Sequence, residues 1–237
     1  MYYHTVQLVK GFVINLDSRE DRWREASSQF SKLPFEVERV SAVLARDVEN
    51  EEPYVPSGVA ATWRSHQKAM RAHLQSGAEF GFILEDDFLV SHDISRILSR
   101  VTTFCDFDLV QFGFLTPSPL RRLIRHLIGT RDVSLKMLNR LSKILHLPLF
   151  EKLLIREQSE IPFSLVLNDI QAGGQSYLVS KKFSEAAQSM NNPSFLSADG
   201  MLMALSETRT FKVARVRVNQ IKQSDSITSV QVRYKLN

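Results

Sequence analysis

Cysteine is nearly absent from this sequence. Cys105 stands alone among 237 residues, so no disulfide can form within the chain. A single thiol fits a reducing compartment. Long apolar runs are missing as well, and no uninterrupted stretch approaches the roughly 18 residues needed to cross a bilayer. The opening Met1-Tyr2-Tyr3-His4-Thr5-Val6-Gln7 lacks the basic and then apolar pattern of a signal peptide. The expected location is therefore the cytoplasm. Zinc-ligand spacings, helix-turn-helix signatures and aromatic-interleaved basic motifs are not evident, which argues against nucleic acid as a partner. What remains is ordinary in composition, with 43% apolar and 24% charged residues. One large domain over residues 1–237 is expected. A chain of this size buries about 70–75% of its unfolded surface, so a full core needs no staples. The net charge of +4 is a mild bias toward anionic partners.

The stretch that organises the chain is Gly81-Phe82-Ile83-Leu84-Glu85-Asp86-Asp87-Phe88-Leu89-Val90. It reads as a short buried strand that runs into three consecutive carboxylates and turns apolar again. Carboxylates beside an apolar strand are costly to bury unless something cationic holds them. A divalent metal at the end of the strand is the simplest such cation, because Mn²⁺ and Mg²⁺ prefer hard oxygen ligands and bridge to phosphates. Extended geometry places Glu85 and Asp87 on one face and Asp86 on the other. The bland alternative is an acidic turn after a strand.

Strand and helix signals alternate along the rest of the chain. Leu8–Leu16 is a first buried strand, followed by a helix from Arg19 to about Lys32 that buries Trp23, Ala26 and Phe30. Phe35–Val43 gives a second strand, and Arg46–Pro56 a surface loop. A helix from about Ala60 to Gln75 has Trp63, Met70 and Leu74 lining one face, with Gly77 ending it. A helix near Ile94–Phe104 and a strand at Asp108–Phe112 follow. Tyr177-Leu178-Val179-Ser180 belongs to a strand entered through the Gly173-Gly174 pair, and Lys181–Met190 is a helix. Asp199 falls near the start of a short helix, where a carboxylate is favoured by the exposed N–H groups; it could be simply the N-cap. Phe211–Val218 is a final strand before a polar tail from Gln220. Such alternation argues for an α/β fold with a largely parallel sheet and ligands at the carboxyl ends of its strands. The acidic cluster falls at such an end.

Between Pro117 and Pro162 the rhythm changes. Leu120, Leu123, Ile124, Leu127 and Ile128 keep helical spacing opposite Arg121, Arg122, Arg125 and His126, and the theme repeats through Leu135–Leu145. Two packed helices explain this, and so does a basic amphipathic surface lying on anionic lipid or on an acidic acceptor.

Four stretches, in order, resemble the family 25 glycosyltransferases, the lipooligosaccharide galactosyltransferases of bacteria, with the collagen galactosyltransferases as distant relatives. They are Val13-Ile14-Asn15-Leu16-Asp17-Ser18-Arg19-Glu20-Asp21-Arg22; Gly58 with Ser65-His66; Ile83-Leu84-Glu85-Asp86-Asp87; and Tyr177-Leu178-Val179-Ser180 with the later Asp199, Met201 and Leu202. In the second, Ala61-Thr62 replaces the family's Gly-Cys. Residues Pro117–Pro162 have no counterpart in the pattern.

The resemblance implies a GT-A type, Rossmann-like fold with a helical insertion, a nucleotide-sugar donor (most often UDP-galactose), Mn²⁺ or Mg²⁺, and inversion at the anomeric carbon. The acceptor it implies is lipooligosaccharide or another cell-surface glycan, met at the inner face of the membrane. Asp87 is the leading metal ligand, and Asp86 or Glu85 touches the metal or the donor. Asn15, Leu16, Arg19 and Arg22 would lie near the nucleotide, the arginines as phosphate partners or as a solvated helix face. Ser65 and His66 belong to the donor side, where His66 contacts donor or acceptor, orients an acidic ligand, or is a hydrogen-bonded structural residue. Asp199 is the expected base for the acceptor hydroxyl. A glycosidase would need carboxylates on both sides of the scissile bond, which the Glu85–Asp87 block does not offer. The alternative from another class is a non-catalytic nucleotide- or glycan-binding module on the same fold.

Overall fold

The structure is a computed structural model that describes residues 8–48, 55–90, 94–104, 106–114, 165–168, 170–171, 173–190, 196–207, 210–216 and 220–223. The chain divides into two units, Met1–Phe114 with Ser164–Asn237, and Leu115–Phe163. The second unit, and with it the expected basic helices of Leu120–Leu145, lies outside the described residues.

The first unit is α/β. Its sheet has seven strands: β1 (Val9–Asn15), β2 (Val37–Ser41), β3 (Phe80–Glu85), β5 (Leu109–Gly113), β6 (Leu165–Leu167), β7 (Ser176–Ser180) and β8 (Val213–Val216). Their spatial order is β2-β1-β3-β7-β5-β8-β6. The pairs β1–β2, β1–β3 and β5–β8 are parallel, whereas β3–β7, β5–β7 and β6–β8 are antiparallel. Five strands therefore run one way, and β7 and β6 run against them. Apolar patterning reports that a segment is a buried strand but is blind to its direction, so the two reversals were invisible to it.

Central strands buried on both faces read as nearly continuous apolar runs. In β1 every residue but Lys10 is buried, and in β5 all are. Alternate residues serve opposite sides. Phe12, Ile83, Tyr177 and Val179 join Trp63, Ala69 and Met70 of α2 (Ser57–Ser76) and Phe183 of α4 (Lys181–Ser189) in one cluster. Phe82, one residue out of phase with Ile83, meets Phe35 and Phe112 with ring centroids 5.0 and 4.9 Å apart. Gly77, with φ of 77°, ends α2 in the left-handed conformation that glycine adopts without steric penalty.

Two stretches depart from the sequence expectation. Helix α1 (Glu20–Ser27) is short and passes into a 3-10 turn at Phe30–Lys32; its buried residues are Arg22 and Ala26, not Trp23 or Phe30. The polar tail supplies β9 (Ile221–Gln223), which pairs antiparallel with β4 (Phe88–Val90) in a separate two-stranded sheet. Three residues with one buried side chain, Ile221, are too few to show a strand period. Helix α3 (Ser95–Phe104) and helix α5 (Ala198–Glu207) lie close to where they were expected. No helix among the described residues is long and apolar enough to cross a membrane.

Gly81 sets how near α2 can approach the sheet. A Cβ there would lie 2.6 Å from His73 Cγ and 2.9 Å from His73 Cβ. That histidine cannot step aside, because its Nδ1 meets Ser184 Oγ at 2.9 Å and its Nε2 meets the Ala78 carbonyl at 3.1 Å. Gly81→Ala should cost about 1–3 kcal/mol of unfolding free energy in urea titration, as overpacked cores do. Burial holds His73 below its ordinary value. The unfolded chain then binds the proton first, so stability should fall as pH drops below about 6.5, and less steeply in His73→Gln.

Candidate active site

The chain leaves β1 for β2 on one side and later returns to β3 on the other. Strand order reverses at β1, and the crevice beyond the carboxyl ends of β1 and β3 is where open α/β sheets bind ligands. Asn15 is the last residue of β1 and Glu85 the last of β3, in adjoining register because Ile14 pairs with Glu85. Beyond Glu85 the strand gives way to a turn at Asp86-Asp87 before β4.

That turn overturns the expected alternation of the carboxylates. Asp86 and Asp87 do not face opposite ways; both converge on Arg22, whose Nη1 lies 2.9 Å from Asp86 Oδ1 and whose Nη2 lies 2.9 Å from Asp87 Oδ2. All three side chains are buried. The second contact is ionic and misaligned, since Nη2 makes no hydrogen bond among the described residues. Asp86 Oδ2 accepts from Asn15 Nδ2 at 2.6 Å, and Asn15 Oδ1 accepts from Arg39 Nη2 at 2.6 Å. Arg39 reaches on to Glu20 and lies 4.9 Å over the Trp23 ring. Asp87 Oδ2 also accepts from Gln223 Nε2 at 2.7 Å, and Gln223 in turn accepts from Gln175. Burial pushes both aspartates up, opposed at Asp86 by Arg22 and Asn15, and reinforced at Asp87 by the charge of Glu85. A cleft of about 290 Å³, lined by Glu25, Ser28, Gln29, Asp86, Asp87, Phe88 and Leu89, opens beside the pair.

A second group stands on the β7 side. His66 of α2 is fully buried; its Nδ1 meets the Tyr177 hydroxyl at 2.6 Å, and its Nε2 lies 3.6 Å from Glu85 Oε1 without a hydrogen bond. Tyr177 is pushed well above its ordinary value by burial and by Glu85 and Asp199. Asp199 is not the N-cap of α5. Ser197 is, its Oγ accepting from Gly200 N at 3.3 Å. Asp199 is thereby free to accept from Gly173 N at 2.9 Å through Oδ2 and from Gly174 N at 3.0 Å through Oδ1. A Cβ at Gly174 would lie 3.3 Å from Asp199 Oδ1 and 3.6 Å from His66 Cε1, so the glycine lets backbone reach both.

The structure thus brings together Asn15, Arg22, His66, Glu85, Asp86, Asp87 and Asp199. Three expected site residues turn elsewhere. Arg19 pairs with Asp21 at 2.8 Å on the surface, where it holds the Asp21 carboxyl well below the usual range. The Ser65 hydroxyl donates to the Ala61 carbonyl and accepts from Val43 N, which joins α2 to the loop after β2. Leu16 is half-buried, and its carbonyl accepts from Arg19 N. Arg22 is in the site but faces inward as a counter-ion. Arg39, Gln175 and Gln223 are the partners that sequence reading missed, because a surface arginine and two isolated amides carry no pattern.

A divalent cation fits the charge left over. Glu85, Asp86 and Asp87 are three carboxylates, and Arg22 neutralises one of those charges. Asp86, also expected as a metal ligand, has Oδ1 against Arg22 and Oδ2 accepting from Asn15. Asp87 Oδ1 is buried without a partner, and Glu85 makes no hydrogen bond through its carboxylate among the described residues. No group of three or more His, Cys, Asp or Glu residues with a metal cage's arrangement occurs among the described residues. Mg²⁺-like ions need no such cage, since one or two carboxylates plus phosphates and water suffice.

If Arg22 is the resident counter-ion, Arg22→Met should cost about 3–5 kcal/mol of stability, the usual penalty for stripping a buried pair of its partner. Asp87→Asn should cost far less, or stabilise. The carboxyl is raised in the folded state, so its charge opposes folding at neutral pH, and wild-type stability relative to the variant should recover as pH falls through that raised value. Thermal unfolding of both variants from pH 4 to 8 checks this.

No known family model matches the chain, and no curated protein does. Among solved structures, one titled "Crystal Structure of A197 from STIV" is similar with a TM-score of 0.42 at 11% identity, over 90% of this chain and 82% of that one.

Proposed function

We propose that the chain is a metal-dependent, inverting glycosyltransferase of GT-A type that moves a hexose from a nucleotide donor to a hydroxyl of a glycan acceptor. The observation that carries the proposal is where unsatisfied polar atoms collect. Five buried side-chain atoms lack a hydrogen-bond partner among the described residues: Arg22 Nε and Nη2, His66 Nε2, Asp87 Oδ1 and Ser176 Oγ. The first four are on residues that contact Glu85, Asp86 or Asp87 at the end of β3, and Ser176 is on the neighbouring strand β7, paired with Leu84. Buried polar groups are otherwise almost always satisfied, and a cluster of exceptions at a strand-order reversal is what a ligand site leaves behind.

Asp87 Oδ1 and Glu85 are the oxygens that would hold Mn²⁺ or Mg²⁺. The ion supplies charge stabilisation for the departing diphosphate. Arg22 and Asn15 fix Asp86 and Asp87 so that the carboxylates need not reorganise. Asp199, steered by the Gly173 and Gly174 amides, takes the acceptor proton. The acceptor oxygen bonds to the anomeric carbon as the bond from that carbon to the diphosphate breaks, the electron pair leaving with the nucleotide. UDP-galactose as donor, a lipooligosaccharide-type acceptor and contact with an anionic membrane come from the family resemblance and belong to this proposal.

Calorimetric titration of UDP with and without Mn²⁺, followed by UDP release from a panel of UDP-sugars, tests it. Metal-dependent UDP binding and slow hydrolysis of one UDP-sugar are expected. Asp87→Asn should lose the metal-dependent part of binding. Asp199→Asn should keep binding and lose at least 10²-fold in turnover, the usual contribution of a general base. Binding without hydrolysis or transfer would leave a nucleotide-binding module, and absence of nucleotide binding would overturn the proposal.

A further inference from the structure

The donor site contains a buried hydrogen-bond donor with no employment of its own. His66 Nε2 is sealed from solvent, has no hydrogen-bond partner among the described residues, and points at Glu85 Oε1 across 3.6 Å. The Glu85 backbone is fixed, since its N–H donates to the Gln175 carbonyl at 3.0 Å. Its side chain is 30% exposed, with Oε1 3.6 Å from His66 Nε2.

The imidazole cannot turn to seek another partner. Its ring lies nearly parallel to that of Tyr177, at 5.7 Å and 19°, and is fully buried. The tautomer follows from the other nitrogen. The Tyr177 hydroxyl is buried and has His66 Nδ1 as its one hydrogen-bond partner among the described residues. A phenol that donates to Nδ1 leaves the ring hydrogen on Nε2, aimed at the carboxylate. The opposite tautomer would set a bare lone pair against Glu85 and leave the phenol hydrogen without an acceptor.

We propose that His66, fixed in one tautomer by Tyr177, is the positioning residue that aims Glu85 at the divalent cation of a bound nucleoside diphosphate. The assignment rests on the glycosyltransferase proposal above. A small rotation of the Glu85 side chain brings Oε1 within hydrogen-bond distance of Nε2 and leaves Oε2 for the cation. A carboxylate pinned through one oxygen and ligating through the other is the outer-shell arrangement that metal sites use to orient ligands. Asp87 needs no such help, because Arg22 and Gln223 already hold its Oδ2 and leave Oδ1 bare.

The measurement is Mn²⁺ affinity, by calorimetry on protein saturated with UDP, so turnover is not the readout. His66→Leu should weaken Mn²⁺ binding about 10–100-fold, the usual range for an outer-shell partner. His66→Gln keeps an N–H near the position of Nε2 and should retain most of the affinity. Tyr177→Phe frees the tautomer and should fall between the two. Native far-UV circular dichroism and a cooperative thermal transition in all four proteins separate this from a misfolded core. Equal Mn²⁺ affinity in wild type and His66→Leu, or a glutamine variant as weak as the leucine one, overturns the assignment alone. If His66→Leu does not fold, Tyr177→Phe decides, and unchanged affinity there overturns it. A wild-type protein that binds neither Mn²⁺ nor UDP overturns this and the glycosyltransferase proposal together.

Discussion

The interaction on which this structure depends is the burial of Arg22 between Asp86 and Asp87. A guanidinium taken out of water loses several kcal/mol of hydration, and so does each carboxylate; their attraction repays this only with good geometry and further hydrogen bonds. The further bonds come from the whole neighbourhood. Asn15 reaches Asp86 from β1, Gln223 reaches Asp87 from β9, and Arg39 of β2 grips Asn15 from behind. Four separate segments thus end on one charge cluster. Apolar residues of the same volume would hold α1 to β3 at least as well. What the ions add is direction: the carboxylates can stand in one place only.

That fixed direction shapes the electrostatics of the crevice. One guanidinium does not neutralise three carboxylates, and the excess sits at the end of β3, where burial already pushes Asp86 and Asp87 up. A cluster whose only task was to lock helix to strand would be expected to balance its charge. Here the balance stops short on the side facing Glu85, and a cation brought by a substrate would complete it.

The sequence made the scaffold legible and left the wiring hidden. Strands β1 and β3 were readable because both are nearly continuous apolar runs, and α2 because its buried residues recur at helical spacing up to Gly77. Arg22 was misjudged for a physical reason. Periodicity assigns arginine to the wet face of an amphipathic helix, and only the carboxylates some sixty residues later draw it inside. Asp86 and Asp87 were placed on opposite faces by assuming that strand geometry continued past Glu85. The turn there cannot be inferred from acidic residues that suit strand end and turn alike. Asp199 was ambiguous until Ser197 proved to hold the cap, a choice between adjacent capping residues that propensity does not resolve.

The two halves of the site differ in how they are held, and the difference bears on mechanism. On the Arg22 side every carboxylate oxygen but Asp87 Oδ1 has a partner. Asp199 on the far side is held by two backbone amides that cannot move without moving the chain. Glu85 lies between them with the freest carboxylate of the group, backed by a histidine one short rotation away. A site rigid at both ends and adjustable at its middle can receive a ligand without reorganising its charged walls. Preorganised walls act on developing charge at no further cost during reaction. The adjustable residue then needs a fixed donor behind it to return to one pose each time, and His66, sealed and locked in one tautomer, is placed to be that donor.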